Sequence, residues 1–268
     1  MQSTSQAEGH AEGLVAAASR LSPLPVPDQR LDLRLNGRRL VRVLLGTAAG
    51  LVVVGFAAEY SERYLPDFPG RDLIASLTYL NGETNLPSTF SALLLLGAAA
   101  LLGVIARVKW MLQDAQRRVW TGLALLFSYL ALDEAAGLHE RLIVPVQGLV
   151  KTDGVLHYAW VVPYGALTIL VLLSCLRFLR QLPARTRAQM LLAGCLYVGG
   201  AFGFELMEGY VKTLYGRHNF MMEVLITAEE ALEMFGVILL IAALLAYIRE
   251  YLPGLLVQWG LKTESPSS

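Results

Sequence analysis

The sequence predicts an all-α fold, a polytopic transmembrane helical bundle of six spans with both termini in the cytoplasm. Three observations predict it. Only 16% of the 268 residues are charged and 55% are hydrophobic, whereas a soluble domain carries about 25% charged residues. The apolar residues fall in blocks too long for ordinary core helices. Lys and Arg concentrate in alternate connections between those blocks, the pattern of a membrane protein obeying the positive-inside rule.

Taken in order, residues 1–29 are rich in Ala, Ser, Gly and Pro and lack an early basic segment followed by an apolar core, and the tail they begin extends over residues 1–35. They read as a flexible cytoplasmic tail rather than a secretory signal. The transmembrane domain is expected over residues 36–250, and residues 251–268 as a cytoplasmic interfacial segment and tail. Crossing a ~30 Å hydrocarbon layer at about 1.5 Å per residue takes about 20 residues. The first span therefore reads as about Leu40 to Tyr60 and the second as Leu86 to Ala106. The third begins near Val119 and must include Asp133 and Glu134, because Val119 to Leu132 alone is too short. The fourth runs from about Leu156 to Leu176, and the fifth begins near Met190 and reaches Glu205. The sixth, Met222 to Ile248, encloses Glu229, Glu230 and Glu233. Asp72 to Leu80 is expected to form a short interfacial helix ending at Asn81-Gly82. Leu252 to Leu261, with Trp259, suits a segment lying at the cytoplasmic interface.

Orientation follows from the basic residues. Arg30, Arg34, Arg38, Arg39 and Arg42 precede the first span, and Arg107, Lys109, Arg117 and Arg118 flank the second connection. Arg177, Arg180, Arg185 and Arg187 follow the fourth span, and Arg249 and Lys262 follow the sixth. The other side holds only Arg63, Arg71, Arg141, Lys151, Lys212 and Arg217. A net charge of zero is uninformative as a total, because the charges are segregated along the chain. Cys175 and Cys195 cannot build a disulfide framework or a thiolate metal site and read as small apolar residues. Gly46 and Gly50, and the cluster Gly199, Gly200 and Gly203, offer small-residue faces for close helix approach, within the chain or in a homo-oligomer. They also fit the general abundance of Gly in membrane helices.

The acidic residues carry the functional reading. On this orientation Asp133, Glu134, Glu205, Glu230 and Glu233 all enter the outer half of the membrane, from three separate spans. Glu205 and Glu208 are three apart, as are Glu230 and Glu233, so each pair shares a helix face; Glu229 can share one with Glu233 instead. Asp133 and Glu140, seven apart, fall within roughly 20° of one face if the helix continues. On the same assumption His139 stands about 240° from Asp133 and about 140° from Glu134, so it need not face the same site. Carboxylates in hydrocarbon cost at least a few kcal/mol and must face a bundle interior or a water-filled cavity. Helix dipoles can account for Glu223 and Glu229 near the start of the sixth span, but disfavour acids at the ends of the third and fifth. Glu140 beside Arg141 and Glu208 near Lys212 also read as wet interfacial ion pairs, and the whole cluster as a protonated structural knot.

Crowded carboxylates need compensating charge, which a divalent cation supplies. The candidate ligands are Asp133, Glu134, His139, Glu205, Glu208, Glu230 and Glu233. An oxygen-dominated set favours Mg²⁺, Ca²⁺, Mn²⁺ or Fe²⁺ over zinc or copper. Di-iron bundles use ExxH pairs, which no span here contains. No retinal is expected, since no span has a central Lys; no haem, for want of intramembrane histidines; and no nucleotide, since there is no phosphate-binding loop. The Glu229-Glu230 pair is similar to the start of the EExxxR motif of intramembrane glutamyl proteases. No Arg follows at the required place, which excludes that class.

Three segments together, Asn81 to Ser91 (NGETNLPSTFS), Leu132 to Glu134 with His139-Glu140, and Glu229 to Met234 with Gly236, resemble a group of uncharacterised bacterial multi-pass membrane proteins. The resemblance covers most of residues 40–248, implies a bacterial inner membrane, and draws attention to Glu83 and Asn85. It implies no activity or cofactor. The sequence therefore points to a lipid-bilayer protein, with no nucleic-acid partner and with an outward-facing carboxylate and His cluster. Three roles stay open: a divalent-metal-dependent enzyme acting on a lipid or lipid-linked substrate, a proton- or cation-coupled transporter or channel, and a non-catalytic accessory subunit.

Overall fold

A computed structural model describes residues 36–149 and 152–252, and every regular element among them is helical. The expected N-terminal tail, Lys151 and the interfacial segment after Leu252 lie outside the described residues. The helices are α1 (Gly37–Tyr64), α2 (Arg71–Thr78), α3 (Leu86–Met111), α4 (Arg117–Ala136) and the short α5 (Ile143–Gln147), followed by α6 (Val161–Gln181), α7 (Ala184–Tyr215) and α8 (Phe220–Tyr251). Six of them, α1, α3, α4, α6, α7 and α8, are long and apolar enough to cross a membrane. They fit a multi-pass membrane protein.

Local chemistry sets where several helices begin and end. Asn85 caps α3: its side chain accepts from the Ser88 N–H at 3.1 Å, and its own N–H donates to Ser88 Oγ at 3.2 Å. Pro87 sits in the first turn, where a missing N–H costs nothing. Asn219 caps α8 in the same way, accepting from Met222 at 2.9 Å. The α6 helix starts at Val161 rather than near Leu156, because Gly154–Leu156 form a separate tight turn before it.

The α8 helix is apolar overall without a single apolar stripe and is the most enclosed of the six, as a central helix should be. It packs along α1, α3 and α7. Its contact with α7 is set by two glycines. A Cβ at Gly236 would lie 2.8 Å from the Tyr197 backbone nitrogen and 3.0 Å from the Ala193 carbonyl oxygen. One at Gly200 would lie 3.0 Å from the Glu229 carbonyl oxygen and 3.1 Å from Glu233 Cγ. Missing side chains are thus what bring the two acid-bearing helices together. Gly46 and Gly50 differ: added Cβ atoms there would meet nothing within 4 Å.

The α6 helix is held mainly at its ends. Near its C-terminus Phe178 packs edge-on against Trp120 of α4, with ring centroids 5.0 Å apart, and Gln181 accepts from Gln116 at 2.7 Å. At the other end the Tyr164 hydroxyl donates to Asp133 of α4 at 2.8 Å. Along its middle α6 stands off from its neighbours, and a cavity of about 510 Å³ runs between α4, α6, α7 and α8.

Candidate functional site

The cavity has two chemically different ends. One face of α6 contributes Tyr164, Leu167, Val171, Leu172, Phe178 and Leu179, a stripe at helical spacing. Opposite it lie Leu123, Phe127 and Leu130 of α4 and Met190 and Leu191 of α7. Beyond this apolar slot the walls become acidic, with Asp133 and Glu134 of α4, Glu205 and Glu208 of α7, and Glu229, Glu230 and Glu233 of α8. From Met190 to Glu205 the α7 helix rises about 22 Å.

Two features of the backbone shape the acidic end. Gly199–Phe204 interrupt α7 as a π-helical turn, a distortion common at functional sites. It changes the direction in which Glu205 and Glu208 project relative to an unbroken α-helix. In α4 the helix stops at Ala136, because Gly137 adopts φ 56° and its N–H caps back to the Asp133 carbonyl. A Cβ at Gly137 would overlap the Glu83 carboxylate, so the absence of a side chain here lets the α2–α3 connection close over the end of α4.

The stop at Gly137 corrects the expected placement of His139 and Glu140. With the helix ended, the chain turns back and brings His139 Nδ1 to 3.0 Å from Asp133 Oδ2. Asp133 is only 6% exposed and accepts from both His139 and Tyr164. Because Tyr164 gives its proton to Asp133, the 2.6 Å contact between the Tyr129 and Tyr164 hydroxyls has Tyr129 as donor. The result is a chain Tyr129–Tyr164–Asp133–His139. Burial opposes charge on His139, but the hydrogen bond and charge of Asp133, aided by Glu134 and Glu140, outweigh it and hold the imidazolium above the usual histidine range. With Nδ1 turned to Asp133, Nε2 is the nitrogen left to exchange a proton or meet a ligand.

Glu205, Glu208 and Glu229 each place a carboxylate oxygen within 4.8 Å of the other two. The helix dipole does not account for Glu229, which stands well beyond the first turn of α8, where the dipole no longer reaches. The Glu208–Lys212 surface pair is not formed. Glu208 is 2% exposed; its carboxyl is in hydrogen-bond contact with that of Glu229, and among the described residues no N–H or hydroxyl donor reaches its enclosed Oε1. Lys212 instead reaches the Tyr158 hydroxyl at 3.3 Å. The Trp160 indole donates to Glu205 at 3.1 Å, and its ring lies 4.9 Å from that of His139, linking the three-carboxylate set to the Asp133–His139 pair. A second group, Glu83, His139 and Glu140, also brings ligand atoms within 4.8 Å of one another. Burial, with Glu140 close by, pushes the Glu83 carboxyl up. Burial, with Glu205 and Glu208 nearby, pushes the Tyr158 hydroxyl up, so it stays neutral.

All seven expected ligands line the one cavity, but they are not a single tight set. Glu205 and Glu208 come together with Glu229; His139 pairs with Asp133; Glu134, Glu230 and Glu233 lie along the same walls. Sequence reasoning missed Trp160, Tyr129 and Tyr164, which look like ordinary interfacial and span aromatics. It also missed Glu59, which is 4% exposed and accepts from the Leu80 N–H at 3.0 Å. Buried Glu223 meets Arg63 at 2.7 Å. These two acids lie on the α1 side of α8, away from the cavity lining.

Fold and site together define a class, a protein with six helices fit to span a membrane and an acid-ended amphipathic cavity. Within that class, the chain belongs to the family described as Domain of unknown function (DUF8692), which matches residues 36–248 and so takes in all of the first five apolar helices and nearly all of the sixth. No curated protein and no solved structure matches the chain.

Proposed function

We propose that the chain is a membrane-embedded, divalent-cation-dependent enzyme acting on a lipid or lipid-linked substrate. The observation that carries this reading is the continuity of one cavity from an apolar slot along α6 to a cluster of carboxylates. A slot of that kind suits an alkyl or prenyl chain. Glu205, Glu208 and Glu229 supply the hard oxygen ligands that Mg²⁺, Ca²⁺ or Mn²⁺ prefer, and the unsatisfied Glu208 oxygen is the acceptor such an ion would occupy. The Asp133–His139 pair is suited to take up or deliver a proton at the headgroup, with Asp133 orienting the imidazole. The Lys and Arg distribution supports cytoplasmic termini and an acidic end facing the opposite side.

A cation transporter needs polar steps through the other half of the membrane. Here that half of the cavity is walled by residues such as Leu123, Phe178, Leu179 and Met190, which favours one-sided chemistry. The test is incubation of the purified protein with a polar lipid extract and Mg²⁺ or Mn²⁺, followed by mass spectrometry of the lipids. The expected result is a cation-dependent product that Glu208→Gln and His139→Gln abolish. Cation flux in proteoliposomes without lipid turnover would overturn the enzyme reading in favour of transport.

A further inference from the structure

The acidic end of the cavity also contains two strong cations. Lys212 Nζ lies 3.3 Å from the Tyr158 hydroxyl and 4.5 Å from the centre of its ring. Arg217 donates to the Tyr79 hydroxyl at 3.2 Å. Both side chains line the cavity, yet among the described residues neither forms an ion pair with a carboxylate. Each is steered by a phenol, and a phenol leaves a cation with its charge and several donors to spend on another anion. Lys212 follows Glu208 by four residues and Glu205 by seven on α7, so all three project from one side of the helix.

Lys212 and Arg217 thus place two cations beside carboxylates that a divalent ion would bridge, at an end of the cavity whose other charged walls are acidic. Mg²⁺-type ions are usually held by one or two carboxylates and completed by substrate phosphate oxygens, and Lys and Arg are the residues that take the outer oxygens.

We infer that the headgroup bound here is a phosphate, bridged to Glu205, Glu208 and Glu229 by a divalent cation, contacted by Lys212 and Arg217, and carried on an alkyl chain lying along α6. This rests on the amphiphile cavity proposed above. The unsatisfied oxygen of buried Glu208, which faces this space, is a separate indication that a ligand completes it.

The test uses the full chain in maltoside micelles, which contribute no phosphate. Dodecyl phosphate is titrated with and without Mn²⁺, followed by Mn²⁺-induced broadening of the ³¹P resonance and by tryptophan fluorescence. The expected result is binding at least about tenfold tighter with Mn²⁺, and a loss of about tenfold in Lys212→Gln/Arg217→Gln, the factor a charge-assisted hydrogen bond supplies. Dodecanol should bind the wild type and that variant equally, and Arg217→Lys should recover part of the loss, showing that the variant is folded. Dodecyl phosphate binding indifferent to both Mn²⁺ and the cations, with dodecanol still bound, overturns this inference and leaves the amphiphile cavity standing. Failure of both alkyl probes overturns the two together. Inorganic phosphate binding as tightly as dodecyl phosphate overturns the lipid source, and dodecanoate binding as tightly overturns the phosphate.

Discussion

Glu208→Gln removes one charge from the three carboxylates that Glu205, Glu208 and Glu229 hold within 4.8 Å of one another. Two unit charges at that separation repel by roughly 3.5 kcal/mol at an effective dielectric of about 20. A shared proton relieves part of this, so the figure bounds the effect. Without added cation the variant should therefore unfold at the same temperature as the wild type or above it, which is unusual for a change at a buried residue. With Mn²⁺ at about a hundredfold over its dissociation constant, the wild type should gain about 2.7 kcal/mol. That corresponds to a rise of roughly 5–11 °C in unfolding temperature for a domain of this size, and the variant should show little of it. Thermal unfolding in maltoside micelles, followed by tryptophan fluorescence with Mn²⁺ or with a chelator, reads both effects. A Glu208→Gln protein that Mn²⁺ stabilises as strongly as the wild type refutes the reasoning.

Four further outcomes follow from the geometry. Gly236→Ala presses a Cβ onto the backbone of Tyr197 and Ala193; it should cost about 1–3 kcal/mol and weaken Mn²⁺ binding, as read by unfolding and by Mn²⁺ titration. Val171→Trp fills the apolar slot, so a fluorescent alkyl probe should no longer bind while Mn²⁺ still does. Arg63→Ala leaves Glu223 enclosed without its partner and should cost about 1–3 kcal/mol, with Arg63→Ala/Glu223→Gln recovering most of the loss in unfolding temperature. The fourth concerns pH. A histidine whose folded value is raised contributes stability that is complete below its unfolded value of about 6.5 and is lost as pH rises through the folded value. Unfolding temperature in the absence of metal should therefore fall upward from about pH 6.5, and Asp133→Asn should flatten that slope.

The spans were legible because apolar length and alternating Arg clusters report them directly. Their ends were not, as α6 shows: the tight turn at Gly154–Leu156 has no hydropathy signature, and Trp160 just before the helix is committed to Glu205. The convergence of acids was legible for the same reason that makes them costly. Carboxylates from three separate spans at one depth must share an interior space, and Asp133, Glu205 and Glu230 do line one cavity. The fine geometry needed the backbone. Extrapolating an ideal helix past Gly137 turns His139 away from Asp133, whereas the left-handed Gly137 ends α4 and reverses that orientation. A Gly followed closely by a His and two further charged residues was the available clue. The π turn at Gly199–Phe204 left only a run of glycines as its trace. Glu83 and Asn85 came from resemblance alone and separate into two roles, Glu83 at the cavity wall and Asn85 as a helix cap.

The most direct test of the account is the metal content of the full chain, purified after exposure to Mn²⁺ and desalted, beside Glu208→Gln/Glu229→Gln. The account predicts about one Mn²⁺ per chain in the wild type, as expected for one built carboxylate site, and none retained in the double variant. No stoichiometric Mn²⁺ in the wild type, or equal retention by both proteins, would contradict it.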